Sequence, residues 1–264
     1  MRAGRLRTAA TAVLVLLAGL AGCGGGGSSG GGGSTGGSGV GGTVTVFAAA
    51  SLTESFTRLG RDFEAAHRGT AVVFNFAGSA ALAAQINQGA PADVFASAAT
   101  RNMATVTGAG NADGDPVVFV RNQLVIAVPK GNPRGVAGLA DLSRPGVKVA
   151  LCAEQVPCGA AARTALDAAS VAVTPVTLEQ DVRGALSKVR LGEVDAALVY
   201  RTDVLAATAD VTAVEFPESA RAVNDYPLVV LRDAPNPDGA RAFVAYVRSE
   251  RGRAVLTEAG FQAP

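Results

Sequence analysis

The sequence predicts an α/β fold built on a mostly parallel β-sheet with helices on both faces. Short apolar runs rich in valine, leucine and phenylalanine alternate along residues 43–264 with longer segments of helical periodicity. This alternation is typical of sheets in which a helix follows each strand and returns across a face. The composition agrees with a folded domain, because 48% of the residues are hydrophobic, 17% are charged and the net charge is only +1. A disordered chain would have few apolar residues and a high net charge.

The predicted elements follow one another in a regular order. A strand at 43–50 precedes an amphipathic helix at 52–67, whose apolar residues recur every three to four positions. A second strand at 70–78 precedes a helix at 80–89, which ends at a glycine. Further along the chain we predict strands at 93–98, 124–129, 148–152, 196–200 and 227–231, and helices at 181–192 and 238–260. Ligands of such sheets bind beyond the carboxyl ends of the strands, so residues just after strands are the site candidates.

The first 22 residues have the pattern of a secretory signal peptide. Arg2, Arg5 and Arg7 precede an apolar stretch that is too short to span a membrane. The segment Leu20–Cys23 then resembles the lipobox of bacterial lipoproteins, which implies cleavage before Cys23 and attachment of a diacylglyceryl group to its sulfur. We therefore expect an extracytoplasmic protein anchored to the cell membrane. An ordinary secretory signal with an incidental cysteine is the alternative.

A glycine- and serine-rich segment follows Cys23. Residues 24–42 contain 13 of the 33 glycines and no apolar side chain except Val40, so they predict a flexible tether with a reach of roughly 24 Å. Removal of residues 1–22 changes the charge from +1 to −2, because three arginines leave and 20 basic residues face 22 acidic ones. A chain without a basic excess is not expected to bind nucleic acid.

Two serines mark the ends of the first two predicted strands. Ser51 and Ser79 each follow an apolar strand and each precede a helix. One interpretation is an ordinary N-cap, in which the side chain accepts from a backbone N–H of the helix. The other is an anion site, since helix N-termini on neighbouring strands would direct hydroxyl and N–H donors to the same place. Such neutral donors suit an oxyanion that is fully deprotonated at neutral pH.

Five segments stand out in order along the chain: FAAASLTESF (47–56), FAGSAALAAQINQGAPADVFASA (76–98), VPCG (156–159), EQDVRGAL (179–186) and DAALVY (195–200). In this order they resemble the molybdate-binding proteins of bacterial ABC importers. The resemblance implies a periplasmic-binding-protein type II fold, with two α/β lobes, a ligand cleft and crossing hinge strands. If the chain crosses between the lobes at the strands near 120–125 and 224–230, lobe 1 comprises 43–123 and 227–264, and lobe 2 comprises 124–226.

The resemblance also implies five ligand positions for the oxyanion. Ser51 and Ser79 would supply hydroxyl and amide donors, and Tyr200 would supply its hydroxyl. Cys158 and Val182 would supply backbone amides, although the family often has alanine in place of Cys158. Molybdenum would then be held only as molybdate, without direct metal ligands and without a separate cofactor. The implied partners are an ABC permease and, through the lipid, the membrane, with a monomeric receptor.

The remaining candidates have structural interpretations. Cys152 and Cys158 predict a disulfide outside the cytoplasm, since a redox site would use C-x-x-C and no zinc ligands accompany them. His67 ends a helix and is not expected to act as an acid or base. Asp181 and Arg183 predict a helix start with an exposed pair, and alternatively a contribution to the anion turn.

The resemblance therefore implies a high-affinity receptor for molybdate, or the nearly isosteric tungstate. A receptor of the same fold for sulfate, phosphate or an organic anion is the alternative. An organic-anion receptor would be expected to place an arginine in the cleft, and only Arg183 lies near the predicted site. An extracytoplasmic enzyme is a further alternative, and it would need a nucleophile with a base or a metal. No G-x-S-x-G segment lies between a predicted strand and a predicted helix, which is where a Ser-His-Asp hydrolase of this class would place its nucleophile.

Overall fold

The computed structural model describes residues 40–264 of the chain. The predicted signal peptide, Cys23 and nearly all of the predicted tether lie outside the described residues. The strands are β1 (Gly42–Ala49), β2 (Thr70–Ala77), β3 (Val94–Ala96), β4 (Ala112–Asn122), β5 (Leu124–Pro129), β6 (Val149–Cys152), β7 (Thr177–Glu179), β8 (Ala196–Tyr200), β9 (Val211–Val214) and β10 (Asn224–Leu231). The helices are α1 (Thr53–Ala66), α2 (Ser79–Asn87), α3 (Thr100–Gly108), α4 (Pro157–Ala169), α5 (Val182–Arg190), α6 (Arg201–Leu205), α7 (Pro237–Arg248) and α8 (Glu250–Glu258).

The first lobe contains a five-stranded sheet in the order β2-β1-β3-β10-β4. Alternate residues of β1 point to opposite faces, which is the two-residue period of a strand. Val44 and Val46 pack on one face with Phe56 of α1 and Phe243 of α7. Phe47 packs on the other face with residues of α2 and α3. This sheet therefore has helices on both faces, as the sequence predicts.

The second lobe contains a five-stranded sheet in the order β7-β6-β8-β5-β9. Its helices α4 and α5 pack on β6 and β8 through one continuous apolar core. Strand β6 runs parallel to β7 and β8, whereas β5 runs antiparallel to β8 and β9. The two α/β lobes of the predicted fold class are thus confirmed.

The prediction of mostly parallel sheets is wrong. Strand β10 runs antiparallel to β3 and β4, and β5 runs antiparallel to β8 and β9, so half of the strand pairings are antiparallel. Strands β5 and β10 are the first strands after the chain crosses from one sheet to the other. Each of them runs in the opposite direction to the strands beside it. A run of apolar residues has the same appearance in either direction, so the pattern carries no information on strand direction.

The chain crosses between the sheets at two places. Strand β4 ends in the first sheet at Asn122, and β5 begins in the second sheet at Leu124, so only Gln123 separates them. The chain returns between β9 and β10. The first crossing supports a lobe limit at 123/124, which we keep as a proposal. The second crossing ends before Asn224, where β10 begins in the first sheet, so it supports a limit a few residues before the predicted 226/227.

One predicted helix is divided in two. The apolar periodicity of 238–260 predicts a continuous helix, but the structure has α7 and α8 with a break at Ser249. Ser249 has an extended backbone, and its hydroxyl accepts from the N–H of Gly252 at 3.2 Å, so it caps the new helix. Within residues 40–264, no helix is both long and apolar enough to cross a membrane.

Candidate ligand-binding site

A small cavity lies between the two lobes, at the ends of elements that belong to both. Its volume is about 10 Å³, close to the minimum that holds one water molecule, so its walls lie near one another. The first lobe contributes residues that follow β1 and β2, and the second contributes the starts of α4 and α5 and the end of β8. The cavity is lined by all five residues predicted as ligand positions: Ser51, Ser79, Cys158, Val182 and Tyr200.

The two cavity serines are not helix caps. Ser51 lies in a short 3-10 turn, Ala50–Leu52, that leads into α1, and neither of these elements has a side-chain cap. Ser79 is the first residue of α2, and the cap position is occupied by Gly78. The ordinary N-cap interpretation therefore does not hold for either serine, because each hydroxyl has a different partner.

Each serine hydroxyl contacts one other polar group of the protein. The Oγ of Ser79 accepts a hydrogen bond from the backbone N–H of Ala98 at 2.9 Å. The Oγ of Ser51 lies 2.8 Å from the hydroxyl of Tyr226, a buried residue of β10. Because a backbone N–H can only donate, the proton of Ser79 remains available to a ligand in the cavity.

Two helix N-termini of the second lobe supply backbone donors. The first N–H groups of a helix have no acceptor inside that helix. Cys158 lies in the first turn of α4, directly after Pro157, and Val182 is the first residue of α5. Asp181 caps α5 by accepting from the N–H of Gly184 at 2.9 Å, which leaves the N–H of Val182 outside the cap. The helix-start interpretation of Asp181 is thus confirmed.

Tyr200 brings a third hydroxyl to the cavity. It ends β8, its side chain is 1% exposed, and its hydroxyl has no hydrogen-bond partner among the described residues. A buried polar atom without a partner is unfavourable unless a ligand or water satisfies it. Burial raises the pKa of Tyr200 well above its ordinary value, so the hydroxyl keeps its proton and can donate it.

The cavity wall carries no cationic side chain among the described residues. Two arginines on neighbouring helices form contacts between the lobes instead. Arg183 of α5 pairs with Glu54 of α1. Arg101 of α3 donates to the carbonyl oxygens of Glu154 and Val156, at 2.7 and 3.0 Å. The predicted exposed pair at the start of α5 is therefore a link between the lobes, because Arg183 pairs with Glu54 and not with Asp181.

Glycines allow close approaches on both sides of the cavity. A Cβ at Gly78 would lie 2.3 Å from the carbonyl oxygen of Gln180, across the junction of the lobes. A Cβ at Gly159 would lie 2.0 Å from the carbonyl oxygen of Ala153, within the turn that precedes α4. Side chains at these positions would separate the segments that form the cavity wall.

Cys152 and Cys158 form a disulfide in the structure, with their Cα atoms 5.8 Å apart. The bridge joins the end of β6 to the first turn of α4. It closes a short loop, worth roughly 2.4 kcal/mol in the loop-entropy model. The predicted pairing is thus present, and it holds the turn that carries the N–H of Cys158.

Asp203 is a buried carboxyl group close to the cavity that sequence reasoning missed. It lies in α6, is 3% exposed, and accepts a hydrogen bond from the N–H of Tyr200 at 3.0 Å. Burial raises the pKa of Asp203 to about 7, and the neighbouring carboxylates of Glu54 and Asp181 contribute in the same direction. Because Asp203 is adjacent to the end of β8, its charge affects the surroundings of Tyr200.

As pH rises from about 4 to above 7, the melting temperature of the Asp203→Asn variant is expected to increase relative to that of the natural protein. The folded-state pKa of about 7 lies above the ordinary value of 3.8, so the folded state binds the extra proton between these values. The stabilisation from this proton is therefore fully present below pH 3.8, and it is lost as pH rises through about 7. Asparagine still accepts from Tyr200 but cannot ionise. Thermal unfolding between pH 4 and 9 measures the difference, and parallel curves would contradict the expectation.

His67 has a structural position. It ends α1, its Nδ1 lies 3.0 Å from the carbonyl oxygen of Phe63, and its ring packs against that of Phe63. It is not among the residues that line the cavity between the lobes. The expectation that His67 takes no part in the site agrees with this position.

A larger cavity, of about 530 Å³, lies on the second lobe beside α4, β6 and β7. Leu151, Leu166 and Val171 form part of its wall, and the charged side chains Arg163 and Asp167 pair with one another at 2.8 Å. None of the side chains in its wall is a buried polar group without a partner. The small cavity, and not this one, therefore collects donors suited to an anion.

Comparison with known proteins identifies the family. Residues 44–262 match the family model of bacterial extracellular solute-binding proteins. The molybdate-binding protein ModA of Mycobacterium tuberculosis is 46% identical over 222 residues, which cover 84% of this chain and 85% of that protein. ModA of Escherichia coli is 31% identical over 233 residues, which cover 83% of this chain and 89% of that protein.

A solved structure agrees with the fold. The periplasmic molybdate-binding protein of Azotobacter vinelandii superposes with a TM-score of 0.72 at 22% identity, covering 84% of this chain and 99% of that one. The resemblance to molybdate-binding proteins of ABC importers is confirmed by the sequence relatives. The family match, the two-lobed fold and the relatives agree, and the chain therefore belongs to the bacterial extracellular solute-binding proteins.

Proposed function

We propose that this protein is an extracytoplasmic receptor that binds molybdate, or the nearly isosteric tungstate, and delivers it to an ABC permease. The observation that carries the proposal is the cavity between the lobes, which collects three hydroxyl groups and first-turn backbone N–H groups without a cationic side chain. Donors of this kind match a tetrahedral oxyanion that carries no proton. The names of the sequence relatives support molybdate as the ligand.

The proposed ligand set consists of three side chains and two backbone groups. Ser51, Ser79 and Tyr200 donate through their hydroxyls, and Cys158 and Val182 donate through their amides. Support comes from the shared cavity, from the unpartnered hydroxyl of Tyr200 and from the position of Cys158 and Val182 in first helical turns. Molybdenum is bound as an oxyanion, and we propose no direct metal ligand and no separate cofactor.

Binding is coupled to closure of the lobes in this proposal. Because the donors belong to both lobes, only a closed arrangement brings all of them to one anion. A ligand that contacts both lobes shifts the population towards the closed form. The contacts of Arg101 with Glu154 and of Arg183 with Glu54 then accompany closure. The permease releases the anion by favouring the open form.

The proposed receptor acts at the membrane surface as a monomer. A lipid on Cys23 anchors it, and the glycine-rich tether lets the two lobes reach the permease. Support for the anchor comes from the lipobox-like segment before Cys23. We propose a binding role without catalysis and without nucleic acid, and the family match and the balanced charge support it.

Titration of the purified protein with molybdate, tungstate and sulfate tests the proposal. Molybdate and tungstate are expected to raise the melting temperature, because a ligand at 100 times its Kd stabilises the native state by about 2.7 kcal/mol. Sulfate offers the same acceptors on a smaller anion, so we expect a clearly smaller shift. Thermal unfolding at increasing anion concentration measures the three shifts. An equal response to all three anions, or none, would contradict the proposal.

A further inference from the structure

Tyr226 lies directly behind one of the proposed ligand residues. It belongs to β10, its side chain is fully buried, and it is not among the residues that line the cavity. Its hydroxyl lies 2.8 Å from the Oγ of Ser51. Its ring packs edge-on against Tyr200 and Phe261, with centroids 5.9 and 5.5 Å apart, so the ring position is fixed. Tyr226 therefore does not touch a ligand itself, and its only hydrogen bond to a proposed ligand residue is the one with Ser51.

Asn122, at the end of β4, has a fixed orientation next to Tyr226. The Oδ1 of Asn122 accepts from the N–H of Gln123 at 2.9 Å, which assigns the other side-chain atom as the nitrogen. That nitrogen donates to the Oγ1 of Thr202 at 2.9 Å and, over a longer distance of 3.4 Å, to the hydroxyl of Tyr226. An amide nitrogen only donates, so Tyr226 accepts in this contact.

The direction of the contact between Tyr226 and Ser51 follows. By distance and angle, Ser51 and Asn122 are the two hydrogen-bond partners of the Tyr226 hydroxyl among the described residues. The Tyr200 hydroxyl is close enough to affect the pKa of Tyr226, but it makes no hydrogen bond of acceptable geometry with it. If Tyr226 accepted from both, its own proton would be buried without an acceptor, which is unfavourable. Tyr226 therefore donates to Ser51, and the proton of Ser51 is left to point into the cavity.

Ser79 shows the same arrangement with a backbone donor. The N–H of Ala98 donates to the Oγ of Ser79, so the hydroxyl proton of Ser79 is free to point into the cavity. Behind each cavity serine there is thus a donor that determines which way the hydroxyl faces. In the case of Ser51 this donor is a side chain, so it can be removed without a change in the backbone.

We propose that Tyr226, oriented by Asn122, is a positioning residue that fixes the Ser51 hydroxyl as a donor to the ligand and so makes the cleft select oxyanions that carry no proton. This rests on the proposed function and deepens it, since it assigns part of the selectivity to two side chains outside the cavity. A protonated anion, such as phosphate near neutral pH, presents an O–H that a fixed donor cannot accept. Without Tyr226, the Ser51 hydroxyl can turn and accept it.

The Tyr226→Phe variant tests this role. We expect molybdate affinity to fall about tenfold, the size of one lost hydrogen bond to the serine. We also expect the ratio of molybdate to phosphate affinity to fall, which a general loosening of the cleft would not cause. In the Ser51→Ala background, Tyr226→Phe is expected to have no further effect, because the hydroxyl that it orients is absent. Calorimetric titration with molybdate and with phosphate measures both affinities.

Tyr246→Phe is the matched control, since the Tyr246 hydroxyl is also buried but belongs to α7 and does not line the cavity. It is expected to bind molybdate like the natural protein.

Asn122→Asp is the second variant. A carboxylate only accepts hydrogen bonds, so it draws the Tyr226 proton away from Ser51. The same fall in the ratio of molybdate to phosphate affinity is therefore expected. Natural protein that does not bind molybdate overturns the proposed function. Natural protein that binds it, with an unchanged affinity ratio in Tyr226→Phe, overturns this inference alone.

Discussion

Replacement of both cavity serines, by Ser51→Ala and Ser79→Ala together, is expected to weaken molybdate binding about a thousandfold. Each hydroxyl keeps a proton for the ligand, and a hydrogen bond to a charged group contributes about 1.5–3 kcal/mol. Each loss is therefore roughly tenfold to a hundredfold in Kd. Calorimetric titration of the double variant with molybdate measures the effect, and each single variant is expected to fall between the double variant and the natural protein.

Ser55→Ala is the control for the serine variants. Ser55 is also buried, but its hydroxyl donates to the carbonyl oxygen of Leu52 at 3.1 Å within α1, and it does not line the cavity. Its removal is expected to leave the Kd for molybdate unchanged. If the double variant bound molybdate as tightly as the natural protein, the proposed ligand set would be wrong.

The Gly78→Ala variant is expected to lose about ten- to a hundredfold in molybdate affinity while both lobes remain folded. The new Cβ would lie 2.3 Å from the carbonyl oxygen of Gln180, where only a shift of backbone can make room. Since Gly78 and Gln180 belong to different lobes, the shift separates the lobes and opens the cage of donors. Small-angle scattering in the presence of molybdate is expected to show a more open form than that of the natural protein.

Gly108→Ala provides the comparison for this glycine. Gly108 lies at the end of α3, and a Cβ there would meet no atom within 4 Å. Alanine favours helix over glycine, so this variant is expected to be at least as stable as the natural protein and to bind molybdate equally well. Unchanged binding in Gly78→Ala would mean that closure against Gln180 is not needed for the ligand.

Local sequence patterns predicted much of the fold. The apolar strand at 43–50 and the amphipathic helix at 52–67 match β1 and α1 closely, because a strand period of two and a helix period near four can be read from neighbouring residues. Short edge strands such as β7 and β9 were missed, since three or four residues carry too little pattern. Strand direction was also missed, and that produced the wrong prediction of mostly parallel sheets.

The site was partly predictable for a related reason. Ser51 and Ser79 have a local signal, a serine directly between a strand and a helix. Tyr200, Cys158 and Val182 came from the resemblance to molybdate-binding proteins and not from a pattern. No local signal pointed to Tyr226 or Arg101, because their contacts lie far away in sequence: Tyr226 meets Ser51 across 175 residues, and Arg101 meets Glu154 across 53.

The sequence by itself determined the secretory pattern, the α/β class, the family resemblance and the residue types that can donate to an anion. These are properties of composition, of local periodicity or of short motifs. Only the tertiary structure decided that the five candidate residues meet in one cavity, that Arg183 joins the lobes through Glu54, and that the Tyr226 hydroxyl lies within hydrogen-bond distance of Ser51. The physical reason is that hydrogen-bond direction, burial and close approach depend on which distant segments meet, and the crossing of the chain between two sheets determines that.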